Sequence, residues 1–74
     1  MLERVRDILK DYVKVERESI NMDTELISDL GLSSLDVVNI VIAFEDAFDI
    51  EIPDRTVEKL ITIGDIVEYL EKNV

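Results

Sequence analysis

A chain of 74 residues has room for one domain with a small core, and this chain contains neither cysteine nor histidine. These absences exclude a disulfide framework, a thiolate or imidazole metal site, and a nucleophile activated by histidine. The net charge of −10 predicts repulsion from nucleic acid and from anionic membranes, and attraction to basic partners.

The negative charge is confined to the middle of the chain. Ten Asp or Glu residues and no Lys or Arg lie between residues 18 and 54, whereas acidic and basic side chains balance in the two flanks. Acidic surfaces aid solubility in general, but confinement to one contiguous half predicts a face that meets something positive. No segment has the length of a signal-peptide core or a membrane span. We therefore expect a cytoplasmic monomer that binds neither nucleic acid nor membranes.

The first predicted element is an amphipathic helix from Leu2 to about Val15, because apolar residues recur there at helical spacing. These residues are Leu2, Val5, Ile8, Leu9, Tyr12 and Val13. The periodicity is lost from Glu16 to Ser33, a connection that is long for so small a domain. The side chains predicted to hold this loop on the core are Ile20, Leu26, Ile27, Leu30 and Leu32.

A second helix is predicted from Ser34 to Asp49. Residues 33–36 match a capping box, in which Ser33 is the N-cap and Asp36 is the third helical residue. Such a box fixes the start of a helix, because each of its two side chains accepts a hydrogen bond from the other residue's backbone. The helix is predicted to end in an extended connection before Pro53, since the residue before proline disfavours helix.

Two further helices complete the predicted fold. A short third helix runs from Pro53 or Asp54 to Leu60, with proline tolerated in its first turn. Residues 62–65 match a second capping box and open the last helix. The sequence therefore predicts an all-α fold over residues 1–74, a single domain. It is a small four-helix bundle of three longer helices and one short helix, with a long loop between the first and second helices.

The second helix has two apolar faces. At roughly 100° per residue, the expected core stripe consists of Val37, Ile40, Val41, Phe44 and Phe48. A separate apolar row of Leu35, Val38 and Ile42 is centred about 130° away. Side chains outside the core stripe, several of them flanking this row, are Asp36, Asn39, Glu45, Asp46 and Asp49. Burial of the row by neighbouring helices is one interpretation. Because acidic side chains resist burial, we favour a docking surface for a partner that is apolar at its centre and basic around it.

Residues 29–36, with the sequence DLGLSSLD, resemble the phosphopantetheine attachment motif of acyl carrier proteins, commonly DLGxDSLD. The likeness continues through residues 44–54 and 62–70, in register and over almost the whole chain. The resemblance implies that a phosphopantetheinyl transferase moves 4′-phosphopantetheine from coenzyme A onto the Ser34 hydroxyl. The terminal thiol would then hold acyl groups as thioesters for the enzymes of fatty-acid or polyketide synthesis. Such a carrier is not itself an enzyme.

The same resemblance implies a partner surface that meets basic patches on the transferase and on acyl-transferring and chain-elongating enzymes. Its residues would be Leu35, Asp36, Val38, Ile42, Glu45, Asp46, Asp54 and Glu58. Two departures lower the negative charge beside the attachment point: Ser33 stands where the family usually has Asp, and Asn39 where many members have Glu. They suggest a specialised carrier. Of the adjacent serines, Ser33 is the better N-cap, which leaves Ser34 free to project. We also expect acyl chains of moderate length to be sheltered between the helices.

The sequence fits other functions less well than that of a carrier. Residues 31–35 resemble part of a hydrolase nucleophile elbow, but the second glycine, a histidine base and a preceding strand are all missing. Carboxylates at positions 46, 49, 51 and 54 lack the ligand order and the glycine of an EF-hand, so only weak divalent-cation binding is expected. An unmodified acidic interaction domain and a peptidyl or D-alanyl carrier remain as alternatives.

Overall fold

Four α-helices make up most of the regular structure in the computed structural model, which describes all of residues 1–74. They are α1 (Leu2–Leu9), α2 (Ser34–Phe48), α3 (Asp54–Val57) and α4 (Ile63–Asn73), with one turn of 3-10 helix at Arg17–Ser19. The chain forms no β-strand, and its one extended pairing is an isolated antiparallel bridge between Glu25 and Thr62. The predicted all-α fold with three longer helices and one short helix is confirmed. None of the helices is both long and apolar enough to span a membrane.

Both predicted capping boxes are confirmed. The Ser33 hydroxyl accepts the Asp36 N–H at 3.2 Å, and the Asp36 carboxylate accepts the Ser33 N–H at 3.0 Å. At the start of α4, the Thr62 hydroxyl accepts the Asp65 N–H at 3.1 Å, and the Asp65 carboxylate accepts the Thr62 N–H at 3.0 Å. These bonds satisfy backbone donors that the first turn of a helix leaves unpaired. They therefore set where α2 and α4 begin.

The first helix is shorter than the predicted Leu2–Val15. It ends at Leu9, and the Tyr12 N–H bonds the Leu9 carbonyl at 2.8 Å in a tight turn. Tyr12, predicted to be part of the buried stripe, is 43% exposed. The prediction beyond Leu9 is therefore wrong.

The early end of α1 lets the chain reverse, so that Ile20 is buried in the core and Arg17 pairs with acidic residues of α1. Arg17 donates to the Asp7 carboxylate at 2.7 Å and also pairs with Glu3, while Arg6 donates to the Ile20 carbonyl at 2.7 Å. A helix that continued to Val15 would carry Arg17 away from these acids at 1.5 Å per residue. Hydrogen bonds from Arg17 are the main cause that lowers the pKa of both Glu3 and Asp7 below its ordinary value.

The core consists of fifteen buried residues, all of them apolar. The core stripe of α2 is confirmed at Val37, Ile40, Val41 and Phe44. Phe48 is half-buried, with the Arg4 guanidinium 4.4 Å from the centre of its ring. That geometry is a cation–π contact between α1 and the last turn of α2.

The long loop between α1 and α2 is fastened mainly to the segment before α4. The Leu26 N–H bonds the Ile61 carbonyl at 3.0 Å, and the Gly64 N–H bonds the Met22 carbonyl at 2.8 Å. A Cβ atom on Gly64 would lie 2.9 Å from that Met22 oxygen, so this close approach of two backbones requires glycine.

The apolar side chains of the loop follow the prediction with one exception. Buried residues are Ile20, Leu26 and Leu32, and Leu30 is half-buried. Ile27 is 58% exposed, so its predicted place in the core is wrong. The adjacent Leu26 fills the core position, and Ile27 lies instead at the rim of a cavity beside α2.

The third helix is also shorter than predicted. It ends at Val57, and a turn closed by the Leu60 N–H bonding the Val57 carbonyl at 3.1 Å follows it. The shorter helix lets buried Leu60 enter the core while Ile61 pairs with the loop.

Candidate functional site

Ser34 is the first residue of α2 and its side chain is exposed. The neighbouring Ser33 is occupied by the capping box, in which it pairs with Asp36 through both its hydroxyl and its backbone N–H. Neither of these bonds involves the Ser34 hydroxyl. The same bonds, first that from the Ser33 backbone, lower the pKa of Asp36 below its ordinary value. The fold therefore uses the Ser33 hydroxyl in the capping box and leaves the Ser34 hydroxyl out of it.

The chain reaches this helix start through a sharp turn. Gly31 has φ of +67°, a left-handed conformation that costs glycine little and other residues more. A Cβ atom there would meet nothing within 4 Å, so the backbone conformation and not crowding requires glycine.

An anion attached to Ser34 would be electrostatically favoured. The first backbone N–H groups of a helix lack intrahelical partners and carry the positive end of the helix dipole. For an exposed group the gain is about 0.3–1 kcal/mol. The site thus fits a phosphodiester in two respects, since it supplies an accessible hydroxyl and a favourable local field.

A cavity of about 290 Å³ lies beside Ser34, between the loop, α2 and the segment 57–61. Seven of its ten lining residues are hydrophobic, which suits an aliphatic guest. The lining consists of Glu25, Leu26, Ile27, Ser34, Val37, Val38, Val57, Glu58, Leu60 and Ile61. An exposed hydroxyl thus lies at the edge of a mostly apolar cavity.

The apolar row of α2 is exposed. Leu35, Val38 and Ile42 are 69%, 47% and 49% accessible, so the alternative in which neighbouring helices bury this row is wrong. Val38 also lines the cavity. Ile27 and Ile61, each 58% exposed, add apolar surface at the same cavity, and sequence periodicity did not reveal them because both lie in irregular segments.

The predicted acidic residues differ in their surroundings. Asp46 is exposed on α2, and Asp54 and Glu58 are exposed at the two ends of α3. Glu58 and Val38 both line the cavity. Glu45 is half-buried, and its carboxylate accepts the Ile52 N–H at 2.8 Å. That bond joins two residues seven apart across the end of α2, and no sequence pattern signals it.

The structure also bears on the other functions. No strand precedes Ser34, as a nucleophile elbow requires. No group of three or more Asp or Glu side chains is placed to hold a metal ion.

Residues 3–70 match the family described as "Phosphopantetheine attachment site". The chain is 49% identical to the acyl carrier protein of Akkermansia muciniphila over 70 residues, which are 95% of this chain and 88% of that protein. It is 48% identical to the acyl carrier protein of Campylobacter curvus over 68 residues, 92% and 88% of the two chains. It is 43% identical to the acyl carrier protein of Campylobacter concisus over 72 residues, which are 97% of this chain and 94% of that protein.

Proposed function

Since the chain belongs to the phosphopantetheine attachment family and is an acyl carrier with covalently bound 4′-phosphopantetheine, we propose that Ser34 holds that group. The observation that supports the assignment is the different hydrogen bonding of the two serines at the start of α2. Ser33 is committed to the capping box, whereas Ser34 is exposed beside an apolar cavity. The named relatives support an acyl carrier over a peptidyl or D-alanyl carrier and over an unmodified interaction domain.

The transfer of phosphopantetheine to Ser34 requires only a hydroxyl group from this chain. The Ser34 oxygen forms a bond to the phosphorus that bears the pantetheine group of coenzyme A, and the pyrophosphate bond breaks. Adenosine 3′,5′-bisphosphate leaves, and a base on the transferase takes the serine proton. The bound group supplies the thiol that holds acyl chains as thioesters. We propose that the chain catalyses no step itself and contributes an accessible, rigidly placed hydroxyl.

The cavity beside Ser34 is the proposed shelter for the acyl chain. Its walls are mostly Leu, Ile and Val side chains, and transfer of each methylene from water to such surroundings is worth about 0.8 kcal/mol. An octanoyl chain should therefore shift the backbone amide resonances of Leu26, Val37 and Leu60 relative to the holo form. Unchanged resonances would contradict this part of the proposal.

The exposed row of Leu35, Val38 and Ile42 is the proposed apolar centre of the docking surface. Its acidic rim is formed by Asp36, Glu45, Asp46, Asp54 and Glu58. We propose that it meets basic patches on the phosphopantetheinyl transferase and on acyl-transferring and chain-elongating enzymes of fatty-acid or polyketide synthesis. Charged rims speed association and fix orientation more than they add affinity, which suits a carrier that must leave each enzyme in turn.

The test of the assignment is the intact mass of the protein after incubation with coenzyme A and a broad-specificity phosphopantetheinyl transferase. We expect one added phosphopantetheinyl group, located on Ser34 by mapping of the modified peptide. Ser33→Ala should still be loaded, and Ser34→Ala should not. A Ser34→Ala protein that gains the group would refute the assignment.

A further inference from the structure

Glu45 binds the connection between α2 and α3 through both its main chain and its side chain. Its carbonyl oxygen accepts the Asp49 N–H and the Ile50 N–H, the latter at 3.2 Å. Its carboxylate accepts the Ile52 N–H at 2.8 Å. The Ile52 side chain is 6% exposed, and its N–H has no backbone acceptor. A partly buried donor of this kind is costly to leave without a partner.

The placement of α3 rests on the burial of Leu60 and on the hydrogen bonds that hold the chain beyond its two ends. This helix is a single turn, its N-cap Pro53 provides no side-chain bond, and it shares no extensive interface with another helix. Beyond its C-terminal end, the Asp65 carboxylate accepts the Ile61 N–H at 3.0 Å. Before its N-terminal end, the 2.8 Å bond from Ile52 to Glu45 is shorter than the 3.3 Å bond from the Tyr69 hydroxyl to the Glu51 carbonyl.

Between these two anchors lie Val57 and Leu60, which form part of the wall of the cavity beside Ser34. We propose that Glu45 is a positioning residue: by holding Ile52, its carboxylate keeps α3 in place as that wall. The proposal rests on the proposed function only in taking the cavity as the acyl shelter. The family resemblance offers Glu45 merely as one charge among several on the docking surface.

The two roles of Glu45 are separable by substitution. Glu45→Gln removes the charge and keeps an oxygen that accepts the Ile52 N–H. Glu45→Asp keeps the charge and is one methylene too short to reach that N–H, and Glu45→Ala loses both. The matched control is Asp46→Ala, which removes an adjacent exposed carboxylate that takes no part in the 2.8 Å bond.

The experiment is amide hydrogen exchange by NMR on the unloaded full-length chain. In Glu45→Ala and Glu45→Asp, exchange at Ile52, Val57 and Leu60 should be about tenfold faster, because the partly buried Ile52 N–H is left without an acceptor. Core amides such as that of Leu70 should keep the wild-type rate. Glu45→Gln and Asp46→Ala should resemble the wild type throughout. Faster exchange in Glu45→Gln, wild-type rates in Glu45→Asp, or equal acceleration at Leu70 would each overturn the positioning role.

A second readout separates this proposal from the acyl shelter itself. When the chain is loaded with octanoyl-phosphopantetheine, resonance shifts at Val57 and Leu60 should persist in Glu45→Gln and be lost in Glu45→Asp. If the wild-type protein shows no octanoyl-dependent shift, the shelter fails as a function. The exchange rates of the unloaded variants still decide the role of Glu45 in that case.

Discussion

Substitution of the two adjacent serines by alanine should have opposite consequences for stability and for loading. Ser33→Ala removes the hydroxyl that accepts the Asp36 N–H at 3.2 Å. The reciprocal bond from the Ser33 N–H to the Asp36 carboxylate at 3.0 Å survives, because it uses only the backbone of residue 33. Loss of an N-cap side chain costs about 0.5–2 kcal/mol, and with half of the box retained we expect about 1 kcal/mol.

Ser34→Ala should leave stability unchanged or slightly raise it. Ser34 is exposed within α2 and takes no part in the capping box, and alanine has the higher intrinsic helix propensity. In thermal unfolding followed by circular dichroism, a loss of 1 kcal/mol lowers the midpoint of a domain of this size by about 4–8 °C. Only Ser33→Ala should show such a decrease.

Loading by the transferase should follow the reverse order. Ser33→Ala should gain the phosphopantetheinyl group by intact mass at a temperature where it is folded, and Ser34→Ala should not gain it. Two results would refute this reasoning. One is a folded Ser33→Ala protein that cannot be loaded, and the other is a Ser34→Ala protein as destabilised as Ser33→Ala.

Three further predictions test the surroundings of this site. Gly64→Ala should lower the free energy of unfolding in urea by about 1–3 kcal/mol, because the new Cβ would lie 2.9 Å from the Met22 carbonyl oxygen. An unchanged urea midpoint of unfolding would show that the two backbone segments can move apart at little cost. The pKa of Asp65 is lowered, first by a hydrogen bond from the Thr62 backbone. The Asp65 carboxylate therefore stabilises the fold fully above its unfolded pKa of 3.8, and this contribution is lost as the pH falls through the lower folded pKa. The stability difference between wild type and Asp65→Ala should therefore shrink below about pH 4, and a difference independent of pH would contradict the assignment. Asp46→Lys should slow association with the transferase in stopped-flow measurements, with a deficit that shrinks as salt screens the charge; a deficit equal at all salt concentrations would argue against electrostatic docking.

The parts of the fold that the sequence predicts correctly are those encoded by neighbouring residues. The two capping boxes are patterns of four residues, and the exposed row of α2 follows from helical periodicity together with the acidic residues that flank it. The start of α2 at the candidate site shares this property, since the use of Ser33 and not Ser34 in the capping box depends on the local geometry of one helix start. Periodicity also predicts the core stripe of α2, because a helix of fifteen residues is long enough to repeat its pattern.

The errors arise where distant residues decide the local structure. The apolar stripe of α1 continues in the sequence to Val13, yet the chain reverses after Leu9 and Arg17 pairs with Glu3 and Asp7. Ile27 has the hydrophobicity of a core residue, but the pairing of Leu26 with the segment before α4 leaves it outside the core. Such outcomes depend on contacts between elements, which a pattern within one segment does not contain.

The distribution of ion pairs supports the proposed docking role of the acidic middle of the chain. All three salt bridges lie within residues 1–17 and join the Arg6 and Arg17 guanidinium groups to Glu3 and Asp7. None of the ten acidic residues between positions 18 and 54 is paired with a basic side chain, so the molecule keeps their charge at its surface. A basic partner therefore has no internal ion pair to displace, and the electrostatic attraction is available from first encounter. Because exposed ion pairs contribute only about 0–1 kcal/mol each, we expect pairs formed with a basic partner at this surface to allow rapid association without preventing release.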